Sequence, residues 1–406
     1  MAKERSSYRA KVRRERLSVG RAVFGACALG LATGWQISNT GAVAEQLARS
    51  YAVGLATVGL FTTVLFVVHL VMQIPGGRVA DRFGPRRSGL VGLALICAGN
   101  GLALVAPEPA LAMTARALIG IGTGLAFVAG ADYVRSAGGS PTAQGLYGGI
   151  SLGGGGLALA VVPQAEPWLQ WRAPYWTALF VAAAALLALT AGPADSAQSP
   201  RVHEDAARSS NVLRDPRLYR LAVLYAASFG LSVVVGNWVV TLLARGGDVS
   251  KSTAGAVGAL TLLLGVVSRP LGGWLVRQRP GWTRSLLAVS LAGGAAGTLL
   301  LLAARPLALA AVGASLVGFC AGIPFAPALV GAARARPDAP ATAVGVVNGA
   351  AALTIVVGSP LLALAFSLPG QGRVGFAVVA GLWAAALLAL PRQGELGLAT
   401  PAPESR

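Results

Sequence analysis

The sequence predicts an all-α integral membrane protein, with twelve transmembrane helices arranged as two pseudo-symmetric six-helix bundles. Three observations carry that prediction. Apolar runs of about 20 residues, enough to cross a hydrocarbon core of about 30 Å as helix, recur from Arg21 to Pro391. The composition is 55% hydrophobic and 12% charged, about half the charged share of soluble domains, with a mean hydropathy of +0.66. The second half of the chain also repeats glycine positions of the first at a near-constant offset.

Taken in order, the runs are 22–44, 53–77, 88–106, 110–133, 143–164, 172–191, 218–243, 253–276, 285–303, 307–332, 342–367 and 374–391. Gly and Ala are frequent within them, which lets helix backbones approach closely in lipid. Residues 1–20 form a basic cytoplasmic tail. With the first run they look like a signal peptide, but cleavage would invert every later loop against the charge distribution, so the run is read as an uncleaved helix. The domains follow: a first bundle over 21–191, a polar cytoplasmic linker over 192–217, a second bundle over 218–391 and a cytoplasmic tail over 392–406.

The formal charge of +18 raises the question of nucleic acid, but its placement answers otherwise. With the N-terminus inside, 25 of the 33 Lys and Arg lie on the inner side and only Arg49, Arg172, Arg245, Lys251, Arg305 and Arg373 lie outside. This is a positive-inside bias in a multi-pass protein of the cytoplasmic (inner) membrane, favouring contact with anionic lipid rather than nucleic acid. Cys27, Cys97 and Cys320 stand in different spans with no disulfide or metal spacing and read as small apolar filler. Trp168, Trp171, Tyr175 and Trp176 at the outer start of the sixth run read as an interfacial belt.

The repeat is explicit. "LIGIGTGLAFVAGADYVRSA" from Leu118 matches "LVGFCAGIPFAPALVGAARA" from Leu316, pairing Gly120 with Gly318 and Gly124 with Gly322. "AQGLYGG" from Ala143 matches "AVGVVNG" from Ala343, and "GGRVAD" from Gly76 matches "GGWLVR" from Gly272. The offsets are 198, 200 and 196, so a duplicated unit of about 200 residues underlies the chain. Facing halves of this kind enclose a cavity near the bilayer midplane.

Six plus six spans, a polar linker and "GGRVADRFGPRR" between the second and third spans resemble the major facilitator superfamily over essentially the whole chain. Gly77, Asp81, Arg82, Gly84, Arg86 and Arg87 fit that family's loop signature, with Pro85 where a basic residue is common. The resemblance implies the major facilitator fold and secondary active transport by alternating access. It also implies a latch: Asp81 capping a helix of the other half while the cytoplasmic side is closed, and Arg82 tied to an acid at the end of the fourth span, which Asp132 is by position. The helix dipole at the end of the second span disfavours a carboxylate, so Asp81 needs such a partner. The alternative keeps the arginines as orientation signals and Asp81 as a solvated counter-charge.

Ionisable groups inside spans are functional candidates by default. Arg269, in "VVSRPLGGW", lies about two turns inside the eighth span and needs an acid or a bound anion, so substrate binding and a structural pair both remain open. By the repeat it aligns with Gln73. Nitrate/nitrite porters of the superfamily resemble this arrangement with an Arg on both the second and eighth helices; with Gln73 in place of the first, a larger, monovalent or partly neutral solute is implied rather than nitrate held by two cations. The Gly-rich fifth span, "GLYGGISLGGGGLA", is similar to theirs.

His69, one turn before Gln73, is a proton carrier, a substrate ligand or a neutral hydrogen bonder. Trp35, Gln36, Asn39 and Thr40 on the first span, and Asn237, Trp238 and Thr241 on the seventh, are cavity candidates, with packing as the alternative for the tryptophans. Phe127, Tyr147 and Asn348 are further candidates. Arg116 matches a fourth-span Arg used by proton-coupled members, or else snorkels to the outer leaflet. Drug/proton antiporters carry an acid within the first span and a Gly-Pro in the fifth; here Glu45 sits at the outer end and no Gly-Pro precedes "VVPQ".

The expected function is therefore secondary transport of a small, anionic solute, with a multidrug or neutral-metabolite exporter as the rival. Coupling to an ion or proton is left open. The spans show no constellation of an enzyme, the loops are too short for a receptor domain, and no nucleotide motif, cofactor or metal set is read. The expected state is a monomer.

Overall fold

The computed structural model of the protein describes residues 2–194, 215–247, 249–303, 305–336 and 340–392. Helix α1 (Ala2–Ser38) carries the basic tail and the first run without interruption. It stops short of the expected residue 44, because the Asn39 side chain accepts a hydrogen bond from the Thr40 N–H at 2.9 Å and so takes a donor that a continuing helix would use. A 3-10 turn, Gly41–Val43, and α2 (Ala44–Ser50) follow.

The second span is split. Helix α3 (Leu55–Val71) gives way at Met72 to α4 (Gln73–Phe83), since Pro75 has no N–H to offer the carbonyl of Val71. Gly84 then takes φ 93°, a left-handed conformation that a side chain would strain, and α5 (Pro85–Ala103) begins. Helices α6 (Pro109–Ser136), α7 (Pro141–Leu169) and α8 (Ala173–Thr190) complete the first six spans. Arg21 donates to the carbonyl of Ala191, and Arg86 donates from Nε to that of Leu189 at 3.0 Å, so two cations cap the C-terminal end of α8.

In the second set, α9 (Pro216–Tyr225), a π turn at Ala226–Gly230 and α10 (Leu231–Gly247) form the seventh span. Helices α11 (Lys251–Leu263) and α12 (Gly265–Gln278) form the eighth, broken at Leu264. Helix α13 (Thr283–Leu301) is the ninth, and α14 (Leu307–Gly322) with α15 (Phe325–Ala335) is the tenth, broken before Phe325. Helices α16 (Pro340–Leu364) and α17 (Arg373–Ala385) close the bundle. Eight segments are long and apolar enough to cross a membrane, one of them holding both α7 and α8; with α3, α5 and α17 the described residues make twelve crossings.

The seam between the two sets is pseudo-symmetric. Helix α7 packs along α11 and α12, and α3 along α16, so the fifth and eighth spans meet as the eleventh and second do. At the end opposite the N-terminus, here called distal, the Gly41–Val43 turn packs against α10. The repeat is exact enough to be seen in packing: a Cβ on Gly124 would stand 2.5 Å from Cβ of Met72, and one on Gly322 would stand 3.0 Å from Cβ of Ser268. Met72 precedes Gln73 as Ser268 precedes Arg269.

The expected aromatic belt holds in part. Trp168 and Trp176 are exposed, but Trp171 and Tyr175 are buried, with Tyr175 hydrogen-bonded to the Tyr51 hydroxyl at 3.2 Å and Trp171 edge-on to Tyr51. Helix periodicity turns alternate members of the cluster inward.

Candidate functional site

Four spans are irregular, at Met72, at Ala226–Gly230, at Leu264 and before Phe325. Interrupted helices of this kind mark ligand sites in transporters, because irregular backbone is tolerated only against protein or a cavity. Gln73, Phe229 and Phe325 sit at three of these interruptions, and Arg269 lies five residues beyond the break at Leu264.

Arg269 is 2% exposed. Its Nη1 crosses the seam to donate to the carbonyl of Gly148 on α7 at 2.6 Å. The guanidinium carbon lies 4.2 Å from the Phe325 ring centroid and 5.2 Å from that of Phe229, so aromatic faces replace part of its lost hydration. Tyr225 closes the aromatic group, its ring 5.5 Å from Phe229 and 6.0 Å from Phe325. Nε and Nη2 have no hydrogen-bond partner among the described residues. These two nitrogens form one edge of the guanidinium, a fork that fits an anion. A Cβ on Gly148 would stand 2.7 Å from the Phe325 ring, so the glycine is what admits the ring beside the arginine.

Across the seam, His69 contacts Thr123 Oγ1 through Nδ1 at 3.1 Å, and Gln73 donates to the His69 carbonyl at 3.3 Å. His69, Phe127 and Tyr147 form an aromatic row at 6.1 and 6.0 Å, fixed by the Tyr147 hydroxyl donating to the Phe127 carbonyl at 2.7 Å. Gln73, His69 and Phe127 are half-buried, while Tyr147 and Asn348 are buried.

The first-span candidates turn elsewhere. The Trp35 indole donates to Thr177 on α8 at 3.3 Å, Gln36 accepts from Asn100 on α5 at 3.3 Å, and Asn39 donates to the Pro174 carbonyl at 3.1 Å. All three contacts lie inside the first six spans. Arg116 is fully buried, so the snorkelling alternative fails: Nε donates to the Phe61 carbonyl at 3.2 Å, Nη1 to Asn39 Oδ1 at 3.2 Å and Nη2 to the Gln36 carbonyl at 2.8 Å. In the seventh span, Trp238 donates to Ser359 at 3.3 Å and reaches Gly59 of α3, while both polar atoms of the Asn237 side chain are buried without a partner among the described residues.

Of the loop group, Gly77, Arg82, Gly84 and Arg86 are at the end of the second span and start of the third, and Asp132 is half-buried near the end of α6. Arg82 is exposed with its guanidinium 5.3 Å over Phe83. The Asp81 side chain, like residues 195–214 of the linker, lies outside the described set.

Phe229, Phe325 and Tyr225 escaped the sequence reading because aromatics in an apolar run look like core. Two signals were available. Tyr225 and Phe229 stand four apart before a glycine, and Phe325 follows Ile-Pro within a span.

Residues 24–359 match the Major Facilitator Superfamily. The cyanate transport protein CynX of Escherichia coli (strain K12) is 27% identical over 154 residues, 36% of this chain and 40% of CynX. The probable nitrate/nitrite transporter NarK2 of Mycobacterium tuberculosis (strain ATCC 25618 / H37Rv) is 27% identical over 273 residues, 64% of this chain and 67% of NarK2. The match therefore spans less than half of CynX and about two thirds of NarK2. Among solved structures, a point mutant of the nucleoside transporter NupG aligns with a TM-score of 0.72 at 13% identity, covering 92% of this chain and 98% of that one.

Proposed function

The chain belongs to the Major Facilitator Superfamily and is a multi-pass membrane transporter, and from that premise we propose that it moves a small monovalent anion by alternating access, with Arg269 supplying the positive charge. The observation that carries the reading is the buried guanidinium with two donors on one edge that have no partner among the described residues. A buried cation without an acid is costly to maintain unless something returns the lost interaction, and a transported anion does so transiently. The names of CynX and NarK2 point to small monovalent anions as well.

The bundles over 21–191 and 218–391 are the two bodies that rock about the seam, joined by the linker over 192–217. Gln73 offers hydrogen bonds without charge opposite Arg269, which suits one negative charge rather than two. Phe127, Tyr147, Asn348 and His69 line the approach, and His69 is the group on this face for a coupled proton. Trp35, Gln36 and Asn39 hold the first span in place, and Arg116 pins it to α3. Asp81, Arg82 and Asp132 latch the cytoplasmic end in the opposite state. The charge asymmetry supports a cytoplasmic side for both termini and an outer side for the distal end.

Uptake by proteoliposomes tests this. Nitrate, nitrite and cyanate compete with one another for entry through the wild-type protein, and a cationic dye does not enter. Arg269→Ala removes anion entry by at least about 100-fold, as expected when a buried charge-assisted contact of about 3 kcal/mol is lost. Undiminished anion entry through Arg269→Ala sinks the assignment.

A further inference from the structure

Among the described residues, two ion pairs that join the halves lie at the distal end. Arg245, at the end of α10, donates to Glu45 of α2 at 2.6 Å, and Lys251, the first residue of α11, donates to Glu166 near the end of α7 at 2.6 Å. Each links a residue of the first six spans to one of the last six. Together they bracket the seam, one beside the first and seventh spans and the other beside the fifth and eighth. Arg245 is also held from its own half, its guanidinium 5.6 Å over the Phe366 ring. The four side chains are 13% to 31% exposed, dry enough for the attraction to exceed that of a surface pair and wet enough to come apart.

Beneath them the seam is shut. A shallow crevice lined by Val43, Glu45, Thr241, Ala244 and Lys251 marks the line of closure, and Val43, Asn237 and Thr241 are buried. Closure strands polar atoms: Ser38 Oγ, Thr40 Oγ1 and both polar atoms of Asn237 are buried without partners among the described residues of the first and seventh spans. Water would satisfy these groups if the seam parted, so the closed form needs an attraction that the open form lacks. The ion pairs provide one at the place where the stranded groups lie.

We propose that Glu45–Arg245 and Glu166–Lys251 form a two-point gate that keeps the distal end closed, set against the polar groups that closure leaves dry. The proposal rests on the alternating-access reading above. Opening the gate separates two acids from two cations, and leaves Arg245 and Lys251 on the rim of the outward-facing mouth, where they draw anions in.

The test uses the full chain with Cys27→Ala, Cys97→Ala and Cys320→Ala, a Thr241→Cys reporter, and a membrane-impermeant thiol reagent applied to the distal face of oriented vesicles. The parent labels slowly. Glu45→Gln with Glu166→Gln raises the rate about tenfold, the effect of about 1.4 kcal/mol on the closed state. Glu45→Arg alone also labels fast, and adding Arg245→Glu restores slow labelling, which a misfolded protein would not do. Labelling of the double glutamine variant at the parent rate overturns the gate. Nitrate separates the two levels: if the gate alone is wrong, nitrate still changes the parent's labelling, whereas a parent indifferent to every transported anion overturns alternating access itself.

Discussion

Each set of six spans buries an arginine in the membrane, and the two are treated in opposite ways. Arg116 donates from all three nitrogens to acceptors within its own half. Arg269 donates from one, across the seam, and leaves two nitrogens without partners among the described residues. The repeat-related asparagines follow the same division, since Asn39 bonds Arg116 and the Pro174 carbonyl, while the Asn237 side chain, 198 residues later, bonds none of the described residues. A buried polar group whose bonds are complete is a fastener. One left incomplete is poised for something that arrives and leaves, here solute or water.

That contrast can be broken by substitution. Arg116→Ala removes the donors to the Phe61 and Gln36 carbonyls and one of the two donors to Asn39 Oδ1, and should destabilise the fold by about 3 kcal/mol, read as a lowered unfolding midpoint and a shrunken monodisperse peak; a midpoint near that of the wild type would show that Arg116 is no fastener. Gly148→Ala places a methyl against the Phe325 ring and should cost about 1–3 kcal/mol while weakening anion binding, because the ring must leave the guanidinium. Thermal unfolding with and without nitrate reads both effects. The smallest and most discriminating pair is Asn39→Ala against Asn237→Leu. The first should cost about 1–2 kcal/mol, and the second should be close to neutral because no bond is lost. Equal losses at the two sites would erase the distinction between the halves.

Much of the architecture was legible. Apolar length and the charge bias are local properties, so the spans could be read one by one, and a repeat that recurs at 196 to 200 residues needs no contact information. Arg269 stood out because a charge in an apolar run is rare. Its surroundings did not, because Phe229 and Phe325 differ from core aromatics only through the helix irregularities that carry them. Nor could the facing of the first span be read. Trp35, Gln36 and Asn39 are polar or amphipathic on a buried helix, and whether they look into a cavity or into α5, α6 and α8 is decided by neighbours more than 60 residues away. The distal ion pairs were hidden for the same reason, being four isolated charges separated by 200 and 85 residues.

The central claim is that the vacant edge of Arg269 takes an anion, and equilibrium binding of nitrate to the purified protein in chloride-free buffer tests it most directly. Saturable binding at one site per chain is expected for the wild type, with loss in Arg269→Ala and retention in the gate variant Glu45→Gln. Saturable binding that survives in a folded Arg269→Ala protein would contradict the account.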